Sequence, residues 1–292
     1  MRLFVQACIL GLLTGAVYAL MASGLTLAFG IMRVINVAQG AMIILGAYLS
    51  YTAFTQFHID PFLSILLVAP LVFLLGVGTQ FVFIRPLRRD ERQQLSLLVT
   101  WAIALGLEGV LSLVYSTTYR STITSYANSS WRVFGYQLSE VRVYAFAISI
   151  VILVALYLML WRTRFGRAVR ATVQNPVSAS LLGIDAERIS AIAFGISVAT
   201  ASAAGAVYGL IFPFNPGSHY DLISRLLTII VLGGLGSLGG AIIASLIMGV
   251  TEAVIAVTIS PSWSAFTFFI LLIAILIVRP QGLFGVTERG AL

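Results

Sequence analysis

The chain has 292 residues, of which 60% are hydrophobic and only 9% are charged, and its mean hydropathy is +1.03. A soluble domain carries about 25% charged residues, so this composition excludes a soluble core protein and indicates an integral membrane protein. The net charge is +7, and all 17 basic residues are arginines that lie between apolar runs, which argues against nucleic-acid binding. The apolar runs are continuous, which favours membrane-spanning helices over the short alternating strands of a β-barrel.

The apolar runs predict an all-α, polytopic bundle of about nine membrane segments in a single transmembrane domain, residues 1–292. Two regions are expected to be broken, at IMRVINVAQG (31–40) and at the glycine-rich GGLGSLGG (233–240). Residues 222–257 are too many for one straight span, since a helix rises ~1.5 Å per residue and the hydrocarbon core is ~30 Å thick. The predicted segments are 5–30, 40–57, 61–84, 94–115, 142–161, 189–212, 222–234, 239–257 and 264–279.

The arginines orient these segments, because short cytoplasmic loops are enriched in basic residues. The arginine-bearing stretches 85–93 and 161–190 are therefore predicted to be cytoplasmic, and the stretch 116–141, rich in Ser, Thr and Tyr, external. The formal glycosylation sequon at Asn128 is attributed to chance.

Within 161–190 the pattern predicts a short amphipathic helix around 167–173 and a second one at 177–182, which ends at Gly183. Asp185 is expected to cap the helix that follows. From the residues alone, this cytoplasmic segment either lies on the membrane surface or docks a partner.

Five polar side chains interrupt the apolar pattern. Glu108 and Glu252 fall inside predicted spans, where a charge costs ~2.5–3.5 kcal/mol, so both are expected to face the bundle interior. They would act either as contacts on a solute path or as structural hydrogen-bond partners between helices. Arg33, Asn36 and Gln39 at the first break form either an interfacial turn or broken helix ends that present polar groups to a solute.

The chain offers no constellation for soluble catalysis. It has no GxxxxGK[ST] phosphate loop and no plausible nucleophile–base pair, and Cys8 is its only cysteine. His58 beside Asp60 and His219 beside Asp221 are expected to be external loop residues rather than metal ligands. We therefore predict neither an enzyme nor a metal site.

Several motifs occur in order along the chain: GAVYALMASGLTLAFGIMRVINVAQGAMIILGAY, RFGRAVRATVQNPVSASLLGI, VLGGLGSLGGAIIAS, TEAVIA and VRPQGLFG. In this combination the sequence resembles the membrane permease of Liv-type ABC importers. The resemblance implies a multi-pass subunit of the bacterial inner membrane that carries branched-chain or other hydrophobic amino acids, or urea or amides. It also implies four kinds of partner, which are membrane lipid, a second homologous permease, two cytoplasmic ATPases that bind ATP and Mg, and a periplasmic solute-binding protein. This chain itself would hold no cofactor.

The resemblance assigns the 161–190 segment to ATPase coupling. The matching positions are Gly166, Arg167, Arg170, Ala171, Asn175, Ala179, Leu182 and Gly183. The candidate residues of the solute path are Asn36, Gln39, Gly40, Glu108, Gly234, Gly236, Ser237 and Glu252. One departure concerns INVAQG, since the family often has an aromatic residue in place of Val37 and a histidine in place of Gln39.

The resulting hypothesis is alternating access, in which ATP binding by the partners moves the spans around a shared central path. Two other functions stay open at this point. The first is a permease of the related ribose-like sugar importers, and the second is an ATP-independent channel or secondary transporter.

Overall fold

The computed structural model describes residues 2–32, 34–87, 91–127, 129–133, 136–279 and 281–284. Within these ranges seven helices are long and apolar enough to cross a membrane. The predicted membrane segments are confirmed as helices, with bounds that agree to within three residues. The helices are α1 Arg2–Met32, α2 Gln39–Phe57, α3 Pro61–Thr79, α4 Arg92–Tyr115, α5 Glu140–Arg162, α6 Arg164–Gln174, α7 Pro176–Leu181, α8 Ala186–Ile211, α9 His219–Gly233, α10 Leu238–Thr258 and α11 Pro261–Val278.

Three shorter elements complete the described chain. A π-helical segment, Gln80–Ile84, continues α3, and a 3-10 turn, Pro216–Ser218, precedes α9. Strands β1 Ser130–Val133 and β2 Tyr136–Ser139 form an antiparallel hairpin in which Ser130 lies opposite Ser139. This hairpin lies in the stretch predicted to be external, where the sequence analysis expected no strand.

Small residues let the central helices approach one another closely. Helices α1 and α10 run antiparallel, and a Cβ added at Gly11 would lie 2.6 Å from the Gly249 carbonyl oxygen. Helices α2 and α8 run parallel, and a Cβ added at Gly46 would lie 2.5 Å from Cα of Ser202. In a membrane, where apolar burial contributes little to helix association, such close backbone packing is a main source of stability.

Two helices begin inside the bundle rather than at its surface. Gln39, the first residue of α2, hydrogen-bonds to Ser197 near the middle of α8. After α8 the chain turns back, so that Phe214 stacks edge-on against Tyr48. The carbonyl of His219, the first residue of α9, then lies against Gly40. The predicted break at 31–40 is therefore an irregular segment that returns into the protein, where protein groups surround its backbone.

The two segments predicted to be cytoplasmic lie at the same end of the bundle. Arg85, just after the π-helical segment, forms an ion pair of 2.8 Å with Glu187 in the first turn of α8. At the opposite end, the side chain of Gln6 donates to the carbonyl of Gln137 in β2. Arg33, Arg88, Arg89 and Asn128, which the sequence analysis singled out, lie outside the described residues.

Candidate translocation and coupling sites

Asn36 and Gln39 are completely buried at the first break. Nδ2 of Asn36 donates to Oε1 of Gln39 at 3.1 Å, and Nε2 of Gln39 donates to the carbonyl of Ser197 at 3.1 Å. Gly24 of α1 makes room for this contact, since a Cβ there would lie 2.8 Å from Nε2 of Gln39. The two side chains thus join α1, α2 and α8 from within, and in the single chain they do not line an open surface.

Glu252 belongs to a polar cluster between α1, α9 and α10. Its carboxylate accepts a hydrogen bond of 2.8 Å from the Tyr18 hydroxyl and forms an ion pair with Nη1 of Arg225. Nη1 of Arg225 also donates to the Tyr18 oxygen at 3.0 Å, and the guanidinium lies 4.8 Å from the ring centroid of Phe268. The Arg225 and Glu252 side chains keep 24% and 17% of their surface exposed.

Glu108 joins α4 to the start of α9. Its Oε2 atom lies 3.1 Å from Nε2 of His219 and accepts a hydrogen bond of 2.9 Å from the Tyr220 hydroxyl. His219 was expected in an external loop, yet it is 2% exposed. The expectation was wrong because the chain after α8 turns back into the bundle before α9 begins.

The glycine-rich turn connects α9 to α10 at the end of the bundle that is predicted to be cytoplasmic. Gly234 and Gly236 have φ values of +96° and +82°, a region that side chains with a Cβ rarely adopt. The Ser237 side chain caps α10 by accepting from the backbone N–H of Gly240. The chain after α11 packs on this turn, because the N–H of Leu283 donates to the carbonyl of Leu232 at 2.8 Å. Gly234 is buried and Gly236 is exposed.

The segment matched to ATPase coupling folds as the two predicted short helices, α6 and α7. Five of its residues hold the segment in shape. Gly166 is buried against Leu160, and the Arg170 guanidinium lies 5.2 Å from the centroid of the Trp161 ring. Asn175 caps α7, Ala179 is 2% exposed, and Gly183 turns the chain at a φ of +81°. Asp185 then caps α8, as predicted, by accepting from the N–H groups of Glu187 and Arg188.

The outer surface of this helix pair is apolar in places. Arg167 and Leu182 are exposed, whereas Ala171 is half-buried. Three further residues that the sequence analysis did not name, Val173, Val177 and Leu181, are also exposed. The exposed fractions of Val177, Leu181 and Leu182 are 69%, 84% and 80%. Exposed apolar side chains grouped on a surface with polar neighbours are typical of a protein-binding face.

Behind the helix pair lies a cavity of about 750 Å³, which separates α6 and α7 from the ends of α1 and α8. Gly30, Gln80, Thr172, Pro176 and Glu187 are among the residues that line it.

A second cluster lies at the opposite end of the bundle, where Asp60 accepts a hydrogen bond of 2.7 Å from the Tyr126 hydroxyl. Burial and this hydrogen bond to a carboxylate raise the pKa of Tyr126 well above its ordinary value. Phe62 and Tyr144 complete an aromatic cluster with Tyr126, in a pocket of about 420 Å³. Among the described residues, no three His, Cys, Asp or Glu side chains are grouped closely enough to hold a metal ion.

Comparison with known proteins supplies the family. A family model described as "Branched-chain amino acid transport system / permease component" matches residues 8–276. The chain belongs to this permease family. Its bundle of apolar helices is therefore that of a multi-pass membrane transport component.

Individual members of the permease family match nearly the whole chain. LivH of Salmonella typhimurium, a high-affinity branched-chain amino acid transport system permease protein, is 32% identical over 98% of this chain and 96% of its own length. BraD of Pseudomonas aeruginosa is 29% identical over 98% and 97%. LivM of Escherichia coli is 24% identical over 93% of this chain and 68% of its own length. Among solved structures, PsaBC from Streptococcus pneumoniae in complex with Fab aligns over 94% of this chain and 93% of its own at 11% identity, with a TM-score of 0.47.

Arg225, the partner of Glu252, was not among the residues predicted from the sequence. A signal was present, because Arg225 is the only basic residue in the apolar stretch LISRLLTIIVLG. A charged arginine inside a membrane span is costly unless an acidic or polar side chain from another helix pairs with it.

Proposed function

We propose that this chain is the permease subunit of an ABC importer for branched-chain and other hydrophobic amino acids. Membership of the permease family supports the transport role, and its similarity to the branched-chain amino acid permeases LivH and BraD supports this cargo. Urea or amides remain the alternative cargo. Few fixed charges lie in the spans, which suits a neutral zwitterion or amide, and the charges that do occur at Arg225 and Glu252 pair with one another.

The proposed assembly contains a second, homologous permease in the bacterial inner membrane. Two Escherichia coli relatives, LivH and LivM, are both named as permease proteins of a high-affinity branched-chain amino acid transport system. This chain is more similar to LivH, at 30% identity, than to LivM, at 24%. Its partner would therefore be a LivM-like chain. A periplasmic solute-binding protein would deliver the cargo.

ATP hydrolysis would take place in two cytoplasmic ATPases, which would bind ATP and Mg and dock on α6 and α7. The observation that carries this step is the exposed apolar surface formed by Val177, Leu181 and Leu182. These side chains project from a helix pair that Asn175 and Gly183 hold in a fixed shape. Movement of the ATPases would reach α5 and α8 directly, because α6 and α7 lie between them in the chain.

The test compares Leu181→Glu with Thr258→Glu, which introduces the same charge at an exposed position on the opposite end of the bundle. The proteins are expressed with the partner subunits, and ATPase co-purification and ATP-driven uptake of labelled leucine are measured. We expect Leu181→Glu to abolish both at an unchanged membrane level, because a charge in an apolar contact is not compensated. Thr258→Glu should retain ATPase binding. Full ATPase binding and uptake by Leu181→Glu would overturn the coupling role of α7. Parallel uptake assays with urea and ribose distinguish the other cargo classes.

A glutamate at Ala179 would test the docking role of α7 less clearly than Leu181→Glu does. Ala179 is 2% exposed, so a glutamate there would disturb the packing of α7 itself as well as any docking surface. Leu181 is 84% exposed and avoids this ambiguity.

A further inference from the structure

The outward face of α9 differs from the outward faces of the other spans. Its inner side is buried, at residues such as Leu226, Ile229 and Ile230. Its outer side carries Tyr220, which is 45% exposed, and the adjacent Asp221 is also exposed. Ser224, Leu227 and Val231 follow at helical spacing and are partly exposed. The first two turns of this face are therefore polar, and its later turns are apolar.

Other outward faces are apolar where they would meet lipid. Leu66 of α3, Leu113 of α4, Val151 of α5 and Ile273 of α11 expose between 59% and 88% of their surface. Tyr220 and Ser224 have hydrogen-bond partners, in Glu108 and in the Tyr220 carbonyl, but the exposed carboxylate of Asp221 is a charge that the hydrocarbon core accepts only at a large free-energy cost. The first turns of this face are therefore unsuited to contact with lipid.

The polar half of this face lies below the external end of the bundle. Tyr220 bonds to Glu108, which is seven residues before the end of α4 at Tyr115. At a rise of ~1.5 Å per residue, that places Glu108 ~10 Å inside the end of the helix. Its side chain is still 26% exposed. A carboxylate that is partly exposed at this depth is expected to face water.

We propose that the outer face of α9, with Glu108, is a water-filled wall of the solute path, and that its carboxylates attract the ammonium group of a zwitterionic amino acid. This inference rests on the proposed function and adds to it which residues meet the cargo. The wall includes Glu108, Tyr220, Asp221 and Ser224 in its outer half, and Leu227, Val231 and Leu235 in its inner half.

The negative charge in the outer half of the wall and the aliphatic side chains in its inner half both suit a zwitterionic amino acid with an apolar side chain. Glu108, Asp221 and Glu252 bring three carboxylates to this region, against the guanidinium groups of Arg225 and of Arg142, which also interacts with Glu252. The excess negative charge raises the local concentration of cations and of ammonium groups. Below Ser224 the exposed side chains are aliphatic, and Leu235 is 51% exposed beside Gly236 at the glycine turn. A branched apolar side chain can contact these residues, while the ammonium and carboxylate groups keep polar partners and water.

Asn36 and Gln39 lie on the inside of the bundle and are not part of this wall. Both are fully buried and hydrogen-bonded to one another. Gly40 packs against the backbone of His219 and so supports the start of α9 from within. In this arrangement the first break holds α9 in position, and the side chains that meet the cargo come from α9 and α4.

The test measures the water accessibility of single cysteines in the assembled transporter, starting from a Cys8→Ser parent. Ser224→Cys and Leu227→Cys report on the wall, Leu113→Cys and Ile273→Cys on exposed lipid-facing positions, and Ile230→Cys on the core. Thiol reagents react with the thiolate, which forms only in water. We expect membrane-impermeant methanethiosulfonates to label the wall positions about tenfold or more faster than all three controls.

The charge of the reagent tests the second part of the proposal. At Ser224→Cys, a cationic reagent should react faster than an anionic one, relative to their rates with a free thiol. Adding Glu108→Gln and Asp221→Asn should bring the two rates together. An unchanged rate ratio would overturn the attraction of ammonium groups.

The experiment distinguishes a failure of the water-filled wall from a failure of the proposed transport function. Labelling of Ser224→Cys and Leu227→Cys at the slow rate of Leu113→Cys, in a parent that transports leucine, would overturn the wall. Cross-linking of an unlabelled Ser224→Cys to the second permease would also overturn it and would identify a dry interface. Labelled wall positions in a parent without ATP-driven uptake would instead overturn the proposed function.

Discussion

Arg225 of α9 and Glu252 of α10 form an ion pair inside the helix bundle, and the hydroxyl of Tyr18 hydrogen-bonds to both side chains. The pair joins two helices that the glycine-rich turn connects at their other ends. It therefore fixes how α9 lies against α10, and with it the direction of the outer face of α9.

Removing one member of this pair should destabilise the protein more than removing both. Glu252→Gln leaves the Arg225 charge without its partner, at a cost of about 3 kcal/mol, the lower end for buried pairs because both side chains are partly exposed. Arg225→Met likewise leaves the Glu252 carboxylate without the opposite charge that pairs with it. The double variant should unfold at a higher temperature than either single variant in detergent. Additive losses in the double variant would show that the two residues act independently.

Because Gly46 lies in a close helix contact and Gly109 does not, alanine substitutions at the two positions should change the unfolding temperature differently. Gly46→Ala places a Cβ against the Ser202 backbone, whereas a Cβ at Gly109 meets no atom within 4 Å. We expect Gly46→Ala to lower the unfolding temperature by several degrees, because overpacking costs about 1–3 kcal/mol. Gly109→Ala should leave it unchanged or slightly raised, since alanine favours the helix. Equal effects at the two positions would contradict the close α2–α8 contact.

Much of this architecture follows from the residues, and some of it does not. The long apolar runs, the end of a short helix at Gly183 and the cap at Asp185 are local signals, and the structure confirms each of these predictions. The burial of His219 has no local signal, because it depends on the return of the chain between α8 and α9. The same is true of the Arg225–Glu252 contact, whose members lie 27 positions apart and meet only when α9 and α10 pack together. The hairpin at 130–139 was missed because its strands are short and partly polar, without a clear alternation.

The candidate site was predictable to a similar extent. Glu108 and Glu252 stand out as charges in apolar runs, and the structure gives each of them polar partners. Whether a side chain near a break faces a path or the inside of the bundle depends on the rotation of its helix and on its neighbours. That is why Gln39 and Tyr220 could not be sorted from the sequence, although one is fully buried and the other is 45% exposed.

The polar contact at the first break predicts the outcome of substitutions at Gln39. Gln39→Leu removes the donor to Ser197 and leaves Asn36 unpaired in the core, at a cost of about 1–3 kcal/mol. Gln39→His keeps a ring N–H that can donate to the same carbonyl, so it should retain most of the stability. Thermal unfolding in detergent distinguishes the two. A Gln39→Leu protein as stable as the parent would show that this contact does not hold α2 to α8.

The cap of α7 predicts a specific defect in coupling. Oδ1 of Asn175 accepts from the N–H groups of Val177 and Ser178, so Asn175→Ala removes about 1 kcal/mol of helix stability. ATP-driven uptake should fall several-fold while the amount of protein in the membrane stays constant. Asn175→Asp and Asn175→Ser preserve a capping oxygen and should restore uptake. No difference between the alanine and aspartate variants would argue against a role of this cap in coupling.

The central claim is that this permease moves its cargo only when partner ATPases act on α6 and α7. The most direct measurement is uptake of labelled leucine by proteoliposomes that contain this chain with its second permease and ATPases, supplied with loaded binding protein, in the presence and absence of ATP. We expect uptake that requires ATP and is lost in the Leu181→Glu variant. Leucine flux through this chain alone, without ATP or ATPases, would contradict it.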